Sequence, residues 1–158
     1  MQIRFGWTLL RLSDVGDALL VTEPVFGRWP EEQWSPTIDE SIEVLTRQVQ
    51  LLHQLDIDGE DAYFDQFLVA SPGAIKKSHI FLRRVDPIMP EDSGWLLGDA
   101  EDPEALGTET ELERILLAKL VQQRPAVLQA LALPIGSMVV FAGPEIERIY
   151  DAGGRERM

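Results

Sequence analysis

Residues 37–54 read TIDESIEVLTRQVQLLHQ, and this stretch decides the fold that the sequence predicts. Its apolar residues recur every three or four positions and so lie on one stripe of a helix: Ile38, Ile42, Leu45, Val49 and Leu52. Thr37 and Glu40 form a capping box, in which each side chain accepts a hydrogen bond from the other residue's backbone N–H. The repeat spans fewer than three heptads, so we expect the stripe to pack on a sheet rather than in a coiled coil.

Short β-prone runs precede this helix. Residues 3–10 and 18–22 flank an Asp- and Gly-rich segment that favours a turn, and together they predict an amino-terminal hairpin. Residues 24–36 carry three prolines and two tryptophans, Trp29 and Trp34, which predicts a loop or an extended cover. We expect the tryptophans to pack at the edge of the core rather than to line a ligand site.

The segment after the helix resembles a calcium loop, but its spacing is wrong. Residues 56–61 (DIDGED) place glycine fourth, whereas an EF-hand loop needs glycine at the sixth position, so we expect a helix-to-strand turn. Residues 63–69 and 78–85 are rich in aromatic and branched side chains, which predicts two central strands. A short helical turn is expected between them, at residues 74–77.

Two shorter helices are expected in the second half of the chain. Residues 112–122 predict the first, capped by Thr108 with Glu111 or by Thr110 with Glu113. Its apolar face comprises Leu112, Ile115, Leu116 and Leu120. Proline suits the first turn of a helix, so the second is expected to begin at Pro125 and to carry Val127, Leu128 and Leu131.

The end of the chain completes a single-domain prediction for residues 1–158. Residues 138–142 and 145–150 predict a terminal hairpin, and residues 152–158 a frayed tail. Residues 1–68 hold the amino-terminal hairpin and the long helix. The fold class is α+β, with an antiparallel sheet on which the long amphipathic helix and the two shorter helices pack.

The composition indicates where the protein is located and which charge its partner carries. The net charge of −13 disfavours contact with nucleic acid phosphates and with anionic lipids, so the expected partner is neutral or positive. Solubility alone explains such a charge equally well. The chain has no cysteine, no export signal pattern at its amino terminus and no apolar run near the ~18 residues of a membrane span, so we expect a cytoplasmic protein.

The negative charge is densest in one segment. Residues 90–104 (PEDSGWLLGDAEDPE) set a turn, a tryptophan and an acidic loop beside each other. Between Glu91 and Glu113 there are nine Asp or Glu residues and no Lys or Arg, a concentration that would attract a basic partner.

Residues able to support catalysis are scarce. His53 and His79 lie in different predicted elements without zinc-site spacing, and Ser93 is not in a nucleophile elbow. Asp92 with Asp99 or Glu101 could act as an acid–base pair or bind magnesium, but 27 acidic residues make close carboxylates common by chance. A solvated acidic face without metal, cofactor or catalytic residue is the simpler expectation.

Four landmarks in order give a resemblance to a known family. They are Phe81-Leu82-Arg83-Arg84, Asp92-Ser93-Gly94-Trp95, Gly98-Asp99-Ala100-Glu101-Asp102 and Leu133-Pro134-Ile135-Gly136-Ser137, with a helical stretch bearing Pro125, Leu128 and Leu131 before the last. Over residues 69–151 the chain resembles immunity protein 33 of the bacterial polymorphic toxin systems, a family first catalogued as a domain of unknown function.

The resemblance implies a cytoplasmic antidote that binds a cognate toxin delivered by contact-dependent or type VI secretion. It carries over no catalytic residue. Trp95 is then either a core anchor or a toxin contact, and the candidate toxin-binding residues are Glu91, Asp92, Trp95, Asp99, Glu101, Asp102 and Glu104.

The leading hypothesis is a stoichiometric inhibitor whose acidic face occupies the basic active site of a nuclease toxin, which must be positive to hold phosphate. The alternatives are a small carboxylate-dependent or metal-binding enzyme that uses the same loop, and an adaptor that binds a protein without inhibiting it.

Overall fold

The computed structural model describes residues 1–108 and 111–158, which form two sheets around one continuous core. The first sheet is antiparallel and has the order β1 (Gln2–Phe5), β2 (Thr8–Val15), β3 (Ala18–Pro24), β4 (Trp34–Ser35). Residues 3–10 are therefore not one strand of a hairpin. The chain turns at Gly6, whose φ of +56° suits glycine, and divides the predicted run into β1 and β2.

The predicted long helix is confirmed as α1 (Asp39–Leu55), but its predicted buried stripe is wrong. Ile42 and Val49 are 43% and 54% exposed. Leu45 and Leu52 are only half-buried, and the fully buried positions are Ser41, Val44, Gln48, Leu51 and Leu55, the first four of which each lie one residue before a predicted position. Two of these are polar, and Gln48 Nε2 donates a hydrogen bond to the Leu128 carbonyl at 3.0 Å. Apolar periodicity could not identify a buried face that includes satisfied polar groups.

The predicted capping box is also wrong, because a carboxylate from the first sheet caps α1. Glu23 on β3 is buried and accepts hydrogen bonds from the backbone N–H groups of Ser41 (2.8 Å) and Glu40 (3.4 Å). The partial positive charge of the helix amino terminus compensates its burial. Thr37 Oγ1 accepts a hydrogen bond from the Asp39 N–H instead of from the Glu40 N–H. Partial burial, then the carboxylates of Glu23 and Glu43, raise the pKa of Glu40.

The second sheet has the strand order β10-β9-β6-β7-β5-β8. Its strands are β5 (Phe67–Ala70), β6 (His79–Arg84), β7 (Asp92–Asp99), β8 (Glu113–Leu116), β9 (Met138–Ala142) and β10 (Glu145–Tyr150). All neighbours are antiparallel except β5 and β7. The α+β class, the strand β6 and the terminal hairpin are confirmed, whereas the strand predicted at residues 63–69 begins only at Phe67. Half of the predicted acidic loop is instead the central strand β7.

The predicted helix at residues 112–122 is only half helical. β8 pairs with β5, and a 3-10 turn (Leu117–Lys119) then leads into the short helix α3 (Leu120–Gln123). Pairing with an open strand edge outweighs the helical periodicity of a short apolar run. Thr108 ends helix α2 (Ala105–Thr108) and does not cap α3, while Thr110 lies outside the described residues. The helix predicted at Pro125 is confirmed as a 3-10 helix (Pro125–Ala130).

An aromatic cluster joins the two sheets. Trp7 stacks on Phe26 with ring centroids 4.8 Å apart, and Phe64 meets both rings edge-on. Trp29 packs against Phe64 at 4.7 Å, as expected for a residue at the edge of the core, and Trp34 is half-buried.

The carboxyl-terminal residues, for which the sequence predicts a frayed tail, form hydrogen bonds to the rest of the fold. The Arg157 N–H donates to the Ile149 carbonyl at 2.7 Å, and its guanidinium donates to the Leu55 carbonyl at the end of α1, also at 2.7 Å. The tail thereby connects β10 to α1.

Among the helices of the described residues, none combines the length and the apolar character that crossing a membrane requires.

The buried face of α1 makes a stability prediction. Leu51→Ala should lower the free energy of unfolding by about 2–5 kcal/mol, because it leaves a cavity in the core. Val49→Ala, on the exposed side of the same helix, is the matched control and should change it by less than about 0.5 kcal/mol. Chemical denaturation measures both. Equal effects of the two substitutions would show that α1 does not bury this face.

Candidate functional site

Three of the four landmarks, residues 81–84, 92–95 and 133–137, meet around the buried side chain of Arg84. Its guanidinium donates hydrogen bonds to five backbone carbonyls from three segments: those of Glu60, Asp61, Ser93, Leu131 and Leu133. Its own backbone pairs with the Leu-Pro-x-Gly-Ser turn, through Ser137 and Gly136. Burial lowers the pKa of Arg84, and the charges of Glu60 and Asp61 oppose that shift, so the group stays charged. These landmark residues therefore have a structural role, which is to connect three segments of the chain through Arg84.

The Asp-Ser-Gly-Trp landmark is also structural. Trp95 is 1% exposed and donates its indole N–H to the Leu131 carbonyl at 3.0 Å. Ser93 Oγ donates to the Phe67 carbonyl at 2.8 Å. Gly94 has a φ of +86°, and a Cβ there would collide with the Val85 carbonyl. Two roles are predicted for Trp95, a core anchor and a toxin contact. Because its side chain lies in the core, the structure supports the core anchor and not the toxin contact.

The predicted site residues divide between the two ends of β7. Asp92 begins the strand and forms an ion pair with Arg114 at 2.7 Å, with Glu91 half-buried beside it. Asp99 ends the strand, roughly 23 Å away by the rise of an extended chain. Asp92 is therefore too far from Asp99 or Glu101 to act with either of them as an acid–base pair or a magnesium site. Within the described ranges, no group of three or more His, Asp or Glu side chains is arranged to hold a metal ion.

The carboxyl end of β7 collects the other four candidates. Asp99 Oδ1 accepts the Glu101 backbone N–H at 2.9 Å and so shapes the turn that follows the strand. Glu101, Asp102 and Glu104 are all exposed, and we call these three residues the rim acids. Three of the predicted toxin-binding residues are therefore exposed to solvent on one short loop.

The loop that carries the rim acids borders a concave site on the open face of the second sheet: Pro103 of that loop lines the site, as does His79, which contacts Glu101. Strand alternation sends Ile80, Leu82 and Arg84 into the core and leaves Phe81 and Arg83 on the other face. The loop after β7 overhangs this face through Pro103. The concavity has a volume of about 470 Å³, and we call it the sheet groove. Its main lining residues are Phe81, Arg83, Pro103, Met138, Val140 and Arg148.

His79 connects the rim to the far wall of the groove. Its Nδ1 lies 2.8 Å from Glu101 Oε1, and its Nε2 lies 2.7 Å from Glu147 Oε2 on β10. A neutral imidazole has only one N–H, so both contacts are hydrogen bonds only when the ring is protonated. The hydrogen bond to Glu101 has the largest effect and raises the pKa of His79; burial opposes it, and the hydrogen bond to Glu147 and the charges of both carboxylates raise the pKa further.

Sequence reasoning missed the groove residues. The signal was the alternation in residues 79–84 and 138–142, but both alternating sets contain apolar residues, so neither marks an exposed face. Cross-strand pairing brings the groove residues together: Val140 lies opposite both Phe81 and Arg148, and Met138 lies opposite Arg83.

Comparison with known proteins gives one finding. A family model described as an Imm33-like domain matches residues 47–152, more than half of the chain. The match includes the whole second sheet with Arg84, Trp95 and the rim acids, and it leaves out the first sheet. No curated protein and no solved structure matches the chain.

Removal of the Arg84 guanidinium should strongly destabilise the fold. Arg84→Met should lower the free energy of unfolding by about 3–5 kcal/mol, because several buried carbonyls lose their donors. Arg83→Met, one residue away and exposed, should cost less than about 0.5 kcal/mol. Urea denaturation compares them. A cost below about 1 kcal/mol for Arg84→Met would mean that water replaces the guanidinium.

The position of His79 predicts a pH dependence. Its NMR titration midpoint should lie above 6.5, so its two contacts are fully present below pH 6.5 and are lost as the pH rises through the raised value. Glu101→Gln should lower the midpoint most and Glu147→Gln less. Glu104→Gln, a neighbouring change for which the structure gives no contact with His79, is the control and should leave it unchanged. A midpoint at or below 6.5 in the parent would contradict the two contacts of His79 with Glu101 and Glu147.

Proposed function

The chain belongs to the Imm33-like family, and from this premise we propose that it is an immunity protein that binds and neutralises a cognate secreted toxin. It acts in the cytoplasm as a stoichiometric inhibitor and not as an enzyme. The toxin is one that a neighbouring cell delivers by type VI or other contact-dependent secretion, and the immunity protein protects the producer and its kin.

The observation that carries this proposal is the position of the rim acids beside the sheet groove. The groove has an apolar floor with charged residues at its edge, which is how protein-binding surfaces are usually built. Glu101, Asp102 and Glu104 are exposed on one short loop, with Pro103 of the same loop in the groove wall. A surface of this kind fits a partner protein better than a small substrate.

The charge of the rim supports a basic toxin. The protein carries a net charge of −13, and the rim acids add a local concentration of negative charge at the groove. Complementary charge accelerates encounter and fixes the orientation of the partners. A nuclease active site is positive because it must hold phosphate, so the rim acids would occupy it in the place of the nucleic acid. We therefore propose a nuclease toxin, inhibited by occlusion of its active site.

One of the two alternatives, a carboxylate-dependent enzyme, fits the geometry less well. An enzyme that uses paired carboxylates needs them within reach of one substrate, and β7 separates Asp92 from Asp99. An adaptor that binds without inhibiting would use the same surface, so only an activity assay with the toxin separates it from an inhibitor.

A charge-reversal variant tests the proposal. The triple variant Glu101→Lys, Asp102→Lys, Glu104→Lys should remain folded but lose toxin binding and protection, because a basic partner is repelled. Binding of the parent should weaken as salt rises. Circular dichroism checks the fold, calorimetry with the toxin domain encoded beside this gene checks affinity at low and high salt, and co-expression survival checks protection.

The matched control changes net charge equally at a distant place. Asp14→Lys, Asp17→Lys, Glu32→Lys alters three exposed acids on and beside the first sheet and should retain most of the affinity. If both triple variants lose binding equally, overall charge is responsible and not the rim. If neither loses it, the toxin docks elsewhere.

A further inference from the structure

The apolar floor of the sheet groove is not explained by the charge of its rim. An antiparallel sheet with one solvated face usually carries polar residues on that face. Here three outward positions on the adjacent strands β6 and β9 are apolar: Phe81, Met138 and Val140. Phe81 is 8% exposed, whereas Met138 and Val140 are half-buried and face the groove. Such a patch on an open sheet face marks a place where another surface packs.

Two arginines flank this floor, and their sign is opposite to that of the rim. Arg83 lies across from Met138, and Arg148 lies across from Val140. Both are exposed, and among the described residues no carboxylate oxygen is within 4.0 Å of their side-chain nitrogens. An exposed arginine is protonated at neutral pH, so both side chains are positive. The guanidinium groups are therefore ready to receive a carboxylate.

We propose that the sheet groove receives an apolar side chain of the toxin and that a carboxylate of the toxin, next to that side chain, pairs with Arg83 and Arg148. The inference rests on the proposed immunity function and adds the partner's chemistry at the groove. The toxin is then positive where it meets the rim acids and carries an acid next to its apolar anchor.

Charge complementarity selects this occupant over a second copy of the chain. Two copies would each bring a net charge of −13 to the interface, and their mutual repulsion opposes association. A toxin that is basic at the rim gains from the same charge. Opposite signs at the rim and at the floor also fix one orientation, because a shifted or inverted toxin would place like charges together.

Single substitutions in the groove test the inference. Val140→Lys places a charged side chain in the apolar floor of the groove. Arg83→Glu replaces a proposed partner of the toxin carboxylate with a residue of the same charge as that carboxylate. Each should weaken the binding of the toxin domain encoded beside this gene by about 30-fold or more in titration calorimetry, as expected for central interface residues. The matched controls are Val49→Lys and Arg47→Glu on the exposed side of α1, which should stay within about 3-fold of the parent.

The outcomes separate failure of the inference from failure of the function. If the parent does not bind the toxin domain, the proposed function is wrong. If the parent binds and the rim triple variant does not, but Val140→Lys and Arg83→Glu bind normally, the function stands and the inference is overturned. Should Val140→Lys fail to fold, Arg83→Glu still decides, because Arg83 is exposed and structurally dispensable.

The oligomeric state of the protein alone gives a further test. We expect a monomer in sedimentation at the concentrations used for binding. A dimer in the parent that Val140→Lys converts to a monomer would show that a second copy occupies the groove, and would overturn the inference.

Discussion

The buried guanidinium of Arg84 is the constraint on which the second sheet depends. It binds carbonyl groups from β7, from the connection between α1 and β5, and from the segment after the Pro125–Ala130 helix. Without the guanidinium, buried carbonyls such as those of Ser93 and Leu133 would lose their hydrogen bonds to Arg84, and leaving a buried acceptor without a donor costs more than the net gain of an ordinary hydrogen bond. The charge is tolerated because five carbonyl dipoles point toward it. Removing it would therefore release three segments together.

A second arginine performs a similar task at the other end of the sheet. Arg124 donates to the carbonyls of Ile75, Lys77, Ser78 and Gly143 and so ties the end of α3 to the start of β6 and to the turn between β9 and β10. Burial lowers its pKa. With both ends of the sheet fixed in this way, β6 and β9 present their open faces as a rigid floor. Rigid elements make precise binding surfaces, because little conformational entropy is lost when a partner docks.

The sheet groove has charges of opposite sign at separate places, and the net charge of the protein does not describe this distribution. A protein with 27 acidic and 14 basic residues concentrates arginines on one sheet face and acids at its edge. His79 lies between the two through its contacts with Glu101 and Glu147, so the position of the rim depends on whether this one side chain is protonated. The family match covers this whole arrangement and excludes the first sheet, which instead contributes Glu23 as the cap of α1 and Trp7 to the core.

The sequence by itself determined the α+β class, the position of α1, the strands β5, β6, β9 and β10, and the family, because these depend on local periodicity, turn residues and ordered landmarks. It did not determine which face of α1 is buried, that residues 92–99 and 113–116 are strands, or where Trp95 points. Those depend on pairing and packing between distant residues. Arg83 and Arg84 show the limit most clearly, since they are adjacent and chemically identical. Only the strand register, fixed by pairing with β7 and β9, buries Arg84 among carbonyls and turns Arg83 toward the groove.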